Sequence, residues 1–339
     1  MQQLTYTAPQ TLQWRDAPEP RLTSPAGALV RPVAVATCDL DALIISGAAP
    51  FPAPFPIGHE CVAEVVDVGE EVASLRPGQL VSVPFQISCG ECETCRRGRT
   101  GNCSAVSFMS TYGFGPAVNE WGGFFADSVC VPYAEHMLLA LPEGVEPAVL
   151  ASASDNLSDA WRAVGPTLAE EPGAPVLVVG GAGAGSIGLY AAALACALEA
   201  ESVLYVDADA ERRRIAAALG AETLAETPTR VGPFPITVDS SADPEGLALA
   251  LRSTAPDGVC TSTGIYLGEQ PVLPLLEMYT KGIVFKTGRV HARPAMSKVV
   301  ELVARGALAP ELVTTQRVSW SDAADALLED GWTKLVVER

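Results

Sequence analysis

Four cysteines within a stretch of fifteen residues constrain this chain more than anything else in it: Cys89, Cys92, Cys95 and Cys103, spaced C-x2-C-x2-C-x7-C. Thiolates are strong, soft ligands for zinc, and four of them close a tetrahedral shell around one ion. Two-residue intervals let a tight loop turn successive sulfurs inward, with Gly90, Gly98 and Gly101 at the bends. A closed shell leaves no position for a substrate, so the group reads as a structural metal site in a lobe over residues 86–105. An iron–sulfur cluster fits the same spacing and stays open as the alternative.

The other five of the nine cysteines show no such grouping. Cys61, Cys130, Cys196 and Cys260 read most simply as buried small hydrophobes. Met1 to Trp14 has no basic start followed by an apolar run, so a cytoplasmic protein with reduced thiols is expected. At 339 residues the chain exceeds what one core usually serves, and 48% hydrophobic against 18% charged residues suits packed domains rather than disorder. The formal charge of −18 repels nucleic acid and anionic lipid, which excludes both as expected partners and reads as a solvated acidic surface. Pro172 to Leu198 carries no charge and is long enough to span a bilayer. Its strand-like Val176–Val179 and the glycine cluster Gly180–Gly188 point instead to a buried strand, a turn and a buried helix.

Two styles of sequence divide the chain. Up to about residue 150 it is rich in proline, glycine and short β-branched runs. Leu29–Ala36, Val62–Gly69 and Leu80–Pro84 read as strands, with a turn at Arg76–Gln79. Beyond about 155, strand candidates alternate with helical stretches. The strands are Val176–Val179, Ser202–Val206, Ile236–Val238, Gly258–Thr261 and Ile283–Lys286; the helices include Ala210–Leu219 and Pro244–Arg252. Alternating βα units predict a doubly wound parallel sheet. A helix over Ala295–Arg305 and a strand over Thr333–Val337 follow.

Two short motifs precede the cysteine cluster: Cys38-Asp39-Leu40-Asp41 after the strand Leu29–Ala36, and Gly58-His59-Glu60 after the proline-rich Pro50–Pro56. Taken singly, a His is more often a satisfied polar residue and a Cys a buried hydrophobe. In this order, together with the cysteine lobe and the glycine turn, they resemble the zinc-dependent alcohol dehydrogenases of the medium-chain dehydrogenase/reductase superfamily. The resemblance covers nearly the whole chain. It implies a β-rich GroES-like catalytic domain over 1–154 and 289–339, and a Rossmann cofactor domain over 155–288.

It further implies that Cys38 and His59 bind a catalytic zinc, with Glu60 close to the metal and Asp41 supporting the imidazole. The third ligand of such a site lies just before the cofactor domain, where Asp155 is the choice and Asp159 the substitute. Three protein ligands leave a fourth position for an alcohol or carbonyl oxygen, and hydride passes to or from a nicotinamide. The implied set is two zinc ions per chain and a small-molecule alcohol or aldehyde. A homodimer or homotetramer is the implied assembly.

One departure stands out. The family usually has Ser or Thr two residues after the catalytic Cys, as the start of a proton relay, whereas this chain has Leu40. Leu40 cannot donate or accept a proton. The departure keeps open a reductase of C=N or C=C bonds on the same fold. A non-catalytic cofactor-binding protein is the alternative of another class, and the ligand set Cys38, His59 and Asp155 argues against it.

The glycine turn carries its own signal. Gly183-Ala184-Gly185-Ser186-Ile187-Gly188 matches G-x-G-x-x-G between a strand and a helix, where glycines admit pyrophosphate to the helix N-terminus. Gly181 belongs to the same turn, which is longer than the minimal form. Asp207 lies 19 residues beyond Gly188, at the end of the next strand, where a carboxylate binds the adenosine ribose and repels a 2′-phosphate. NAD(H) is therefore expected over NADP(H), with Arg212 to Arg214 as the residues that could still receive a phosphate. For the substrate, Leu40, Phe85, Tyr112 and Trp121, with Phe51, Phe55 and Phe114, suggest an apolar pocket for a hydrophobic or aromatic alcohol or aldehyde. His136 and His291 have no motif partner and read as structural or exposed.

Overall fold

The alternating run after Gly58 forms the strand Glu60–Val68, paired antiparallel with Ala28–Ala36 on one side and Leu80–Val83 on the other. The computed structural model describes residues 1–113, 121–181, 183–268 and 270–339; Phe114 and Ala182 lie outside them. One unit comprises Met1–Ser158, Val290–Ala304 and Thr314–Arg339, and the other Asp159–Arg289 and Arg305–Val313. The segment Arg305–Val313, expected with the catalytic domain, therefore belongs to the second unit.

The first unit is built on a seven-stranded sheet. Its order is Gln316–Ser319, Leu335–Glu338, Ala28–Ala36, Glu60–Val68, Leu80–Val83 and Leu139–Ala140, with Val129–Val131 also paired to Ala28–Ala36. Cys61, Val62, Ala63 and Val65 are fully buried, whereas Val66 is 48% exposed, so the strand enters the core at its metal-motif end and leaves it at the other. A smaller sheet joins Gln2–Ala8 to Thr11–Asp16 and Phe55–Pro56.

The second unit is a six-stranded sheet, all of whose pairings are parallel. Its order is Glu222–Leu224, Val203–Val206, Val176–Val179, Phe234–Asp239, Thr254–Ser262 and Val284–Lys286. Numbered along the chain this is 3-2-1-4-5-6, the doubly wound order, with its direction reversing beside Val176–Val179. Val176–Val179 is an unbroken apolar run because it is covered on both faces. The uncharged stretch from Pro172 resolves into this strand, the glycine turn and the helix Ser186–Ala197. Among the described residues, no helix is long and apolar enough to cross a membrane.

Candidate metal and cofactor sites

Cys38 sits at the N-cap of the helix Asp39–Ser46, where the chain leaves Ala28–Ala36. Its backbone N–H donates to Asp41 Oδ2 at 2.7 Å, and its Sγ accepts from the Leu40 N–H at 3.5 Å. The first turn of the helix thus fixes the thiol while Asp41 Oδ1 stands 3.5 Å from His59 Nδ1. His59 opens the neighbouring strand. Gly58 before it holds φ +93°, and a Cβ there would lie 2.6 Å from the Phe125 ring, so only glycine admits this approach. His59 Nε2 faces Asp155 Oδ2 at 3.4 Å. Asp155 falls at the end of the 3-10 turn Ala151–Ser154, which is tied to the His59 strand by the Cys61 N–H donating to Ser154 Oγ at 2.9 Å.

One ligand atom from each of Cys38, His59 and Asp155 lies within 4.8 Å of the others, and all three residues are buried. A tetrahedral zinc with legs of about 2.0–2.3 Å has edges of about 3.3–3.8 Å, which the 3.4 Å separation of His59 and Asp155 matches. The electrostatics agree. Burial pushes the Cys38 thiol well up, and the carboxylates of Asp155, Asp41 and Glu60 push it further. Burial also raises Asp41 and lifts Glu60 to about 7, although Lys334 opposes it. For His59, burial works against the charge, but Asp41 and Asp155 outweigh it and raise the imidazole. Anionic ligands so crowded in the interior are the setting a divalent cation relieves.

Glu60 does not join the converging set. Its Oε1 accepts the Asn156 N–H at 3.0 Å and its Oε2 lies 2.7 Å from Lys334 Nζ, both side chains being fully buried. Asp159, the substitute ligand, pairs with Arg162. Asn156 and Lys334 escaped the sequence reading, yet they organise the site. Asn156 Nδ2 donates to Cys38 Sγ at 3.3 Å, and Lys334 Nζ donates to Asn156 Oδ1 at 2.6 Å and to the Thr37 carbonyl. The one available signal was a lysine set immediately before the apolar strand Leu335–Glu338.

The pocket aromatics separate. Phe85 meets the His59 ring edge-on at 5.9 Å and clusters with Val290 and Ala292, while Leu40 is buried beside the thiol. Tyr112 is wholly buried against Phe124, with its hydroxyl donating to the Cys130 carbonyl, so it is a core residue. Phe55 and Trp121 line a cavity of about 540 Å³ bounded by the N-terminal strands, whose lining includes none of Cys38, His59 and Asp155.

The four-cysteine loop places its sulfurs within 4.8 Å of one another, with Cys92 Sγ and Cys103 Sγ at 3.9 Å. That spacing suits four legs to one ion and is too close for a cluster in which each thiolate binds a different iron. Backbone N–H groups of Cys89 and Cys92 donate to the sulfurs of Cys103 and Cys89 at 3.4 and 3.3 Å. The Thr94 hydroxyl beside Cys92 holds its thiol down to about 4, whereas burial raises Cys95 and Cys103. His136 lies 3.1 Å from the Ser88 hydroxyl, and His291 Nδ1 accepts the Gly101 N–H at 3.1 Å, so both lone histidines brace this lobe.

In the second unit the glycine turn runs into the helix Ser186–Ala197, as G-x-G-x-x-G requires. Ser186 is buried at the first turn, Ile187 follows it, and Gly188 faces Ser240 and Tyr205 closely. Asp207 is only 2% exposed, with its carboxylate paired to Arg212 at 2.8 Å.

Comparison with known proteins fits this arrangement. The family profile described as the alcohol dehydrogenase GroES-like domain matches residues 24–143. The glutathione-independent formaldehyde dehydrogenase of Pseudomonas aeruginosa is 34% identical over 223 residues, 62% of this chain. The match spans 54% of that relative, about half its length. Zinc-type alcohol dehydrogenase B of Aspergillus flavus is 27% identical, over 89% of this chain and 72% of its own. Among solved structures, an alcohol dehydrogenase from Thermus sp. ATN1 superposes with a TM-score of 0.87 at 27% identity, covering 100% of this chain and 99% of its own.

Proposed function

Because this chain belongs to the zinc-type alcohol dehydrogenase family of the medium-chain dehydrogenase/reductases, we propose that it is an NAD(H)-linked alcohol dehydrogenase or carbonyl reductase. The observation that carries the reading is the buried convergence of Cys38, His59 and Asp155. A zinc ion held there would supply Lewis acidity toward an alcohol or carbonyl oxygen, and a second, held by Cys89, Cys92, Cys95 and Cys103, would brace the lobe. A nicotinamide dinucleotide on the Gly183–Gly188 turn would supply the hydride partner.

The chain's own residues prepare that chemistry. Asp41 fixes the Cys38 backbone and faces the His59 ring, so one carboxylate sets the direction of two ligands. Asn156 directs an amide N–H at the thiol sulfur, which stabilises the thiolate. Lys334 compensates the buried charge of Glu60 through an ion pair at 2.7 Å. Phe85 and Leu40 supply apolar walls, which favours a hydrophobic or aromatic alcohol or aldehyde.

Metal analysis should find two zinc ions per chain, and an NADH-linked screen should find activity on aldehydes that disappears in Cys38→Ala. A protein that binds no zinc would end this reading. Leu40, which offers no proton beside Cys38, favours a second reading: reduction of C=N or C=C bonds. Higher kcat/KM on iminium or enone substrates than on any aldehyde would select it.

The same reading includes a homodimer. The sheet of the second unit ends at the strand Val284–Lys286, and the adjacent helix Leu275–Lys281 buries none of its residues. Val272, Leu276 and Tyr279 are 88%, 75% and 86% exposed. An open strand edge beside such an apolar face fits a second copy related by a two-fold axis. Tyr279→Glu should convert the dimer to monomers by light scattering.

A further inference from the structure

The cofactor turn is already filled by one of the protein's own side chains. Asp207 Oδ1 accepts from the Asp209 N–H at 2.8 Å and from Arg212 Nη2 at 3.0 Å. Its Oδ2 accepts from the Tyr205 hydroxyl at 2.7 Å and from Arg212 Nε at 2.8 Å. A carboxylate has about four acceptor positions, so none remains for the hydroxyls of a ribose. The guanidinium then reaches across to the turn, donating to the Gly181 carbonyl at 2.7 Å and the Gly183 carbonyl at 3.2 Å. It packs so closely that a Cβ on Gly185 would lie 2.6 Å from Arg212 Cδ.

The space between the acidic residue and the glycine turn is the one an adenosine ribose takes in a strand–turn–helix dinucleotide site. Two parallel guanidinium N–H donors on one carboxylate also resemble the two adjacent hydroxyls of a ribose. We propose that Arg212 occupies the ribose seat as an internal competitor, and that a dinucleotide binds by displacing it. This side chain then sets cofactor affinity. The proposal rests on the nicotinamide reading above. Displacement exchanges the ion pair for hydroxyl–carboxylate hydrogen bonds and leaves the freed guanidinium able to meet an anionic phosphate.

The surroundings survive its removal. The Arg212 backbone N–H, not its side chain, donates to the cap residue Asp209 at 2.8 Å. Arg213 Nη1 holds the carbonyls of Asp207 and Ala208 at 2.7 Å each. Tyr205 and Asp209 still fix the Asp207 carboxylate.

Adenosine tests the proposal cleanly, because it carries the two hydroxyls and no phosphate for the arginine to attract. A latch closed about nine-tenths of the time weakens apparent affinity about tenfold. Calorimetry should therefore show Arg212→Ala binding adenosine about tenfold more tightly than the parent. Arg212→Lys should fall between the two, and 2′-deoxyadenosine, which lacks one of the two hydroxyls, should bind each form more weakly than adenosine does. Adenosine affinity equal to or weaker than the parent's in both variants overturns the latch. Stopped-flow mixing with NADH gives a second reading that needs only the parent and Arg212→Lys. Binding rates should reach a plateau in the parent, where opening limits them, and a higher plateau in the variant; rates linear with NADH in both overturn the latch. If neither NADH nor NADPH binds the parent or any variant, the nicotinamide reading itself fails. If NADH binds while adenosine affinity is unchanged, only the latch fails.

Discussion

The two cysteine-bearing clusters of the first unit reach the same kind of donor convergence by opposite routes. The lobe site draws Cys89, Cys92, Cys95 and Cys103 from one continuous loop, where backbone N–H groups and a neighbouring hydroxyl orient the sulfurs. Two of its cysteines are only half-buried. The other site draws Cys38, His59 and Asp155 from three separate segments and buries all of them. Each of those ligands is held by a residue that does not itself converge: Asp41 for Cys38 and His59, Ser154 for the turn that ends in Asp155, and Asn156 for the thiol. A closed four-thiolate shell can only hold the fold. A three-ligand site with an open position can do chemistry, and it needs a rigid surround to keep that position open.

The largest effect should come from breaking the open site. Cys38→Ala should lower kcat/KM about a thousandfold, roughly 4 kcal/mol of transition-state stabilisation, while the melting temperature stays close to that of the parent. The mirror experiment is Cys92→Ala. It should cost about 4 kcal/mol of stability in denaturant titration and remove one zinc, yet the folded fraction should keep its turnover number. The contrast between the sites fails if Cys92→Ala abolishes turnover in well-folded protein, or if Cys38→Ala unfolds the chain.

Next in size is Lys334. Its ion pair with Glu60 is fully buried, so removing one partner strands the other. Lys334→Met should destabilise the protein by about 3 kcal/mol in the same titration. The double variant Lys334→Met with Glu60→Gln should recover part of that, because the uncompensated charge is gone. A single variant as stable as the parent would show that the scattered site does not depend on its surround, and would erase the difference between the two clusters.

The same contrast explains what could be read in advance. The lobe announces itself because its chemistry and its loop geometry are one piece of sequence. The parallel sheet was equally visible, since Val176–Val179 and its successors are short apolar runs at regular intervals. Cys38, His59 and Asp155 carry no mutual spacing at all. They converge because Glu60–Val68 pairs with Ala28–Ala36 and because Ser154 ties the Asp155 turn to Cys61, facts of long-range pairing. Lys334 was invisible for the same reason: nothing local says that a lysine at the start of the strand Leu335–Glu338 faces Glu60. Asp207 was legible in position but not in state, because an arginine five residues on takes its lone pairs.

The smallest predicted effect sharpens the comparison most finely, since it concerns what enters the open position rather than what holds it. Leu40 is buried beside Cys38, donating its N–H to the sulfur while its side chain offers nothing to a proton. Alcohol oxidation must release the hydroxyl proton, and a relay beginning at residue 40 would give it a path. Leu40→Thr adds a hydroxyl of smaller volume at that point. It should change kcat/KM for alcohol oxidation by less than about tenfold, below the roughly 10²–10⁴-fold typical of a fully positioned general acid–base group, but it should shift the pH dependence of that rate. Stability should fall by about 1–2 kcal/mol as buried methyl groups are lost. An unchanged pH profile in a folded, zinc-loaded variant would mean that proton transfer does not pass residue 40. The departure at Leu40 would then bear on the shape of the substrate alone, leaving the proton route to be sought elsewhere around the three ligands.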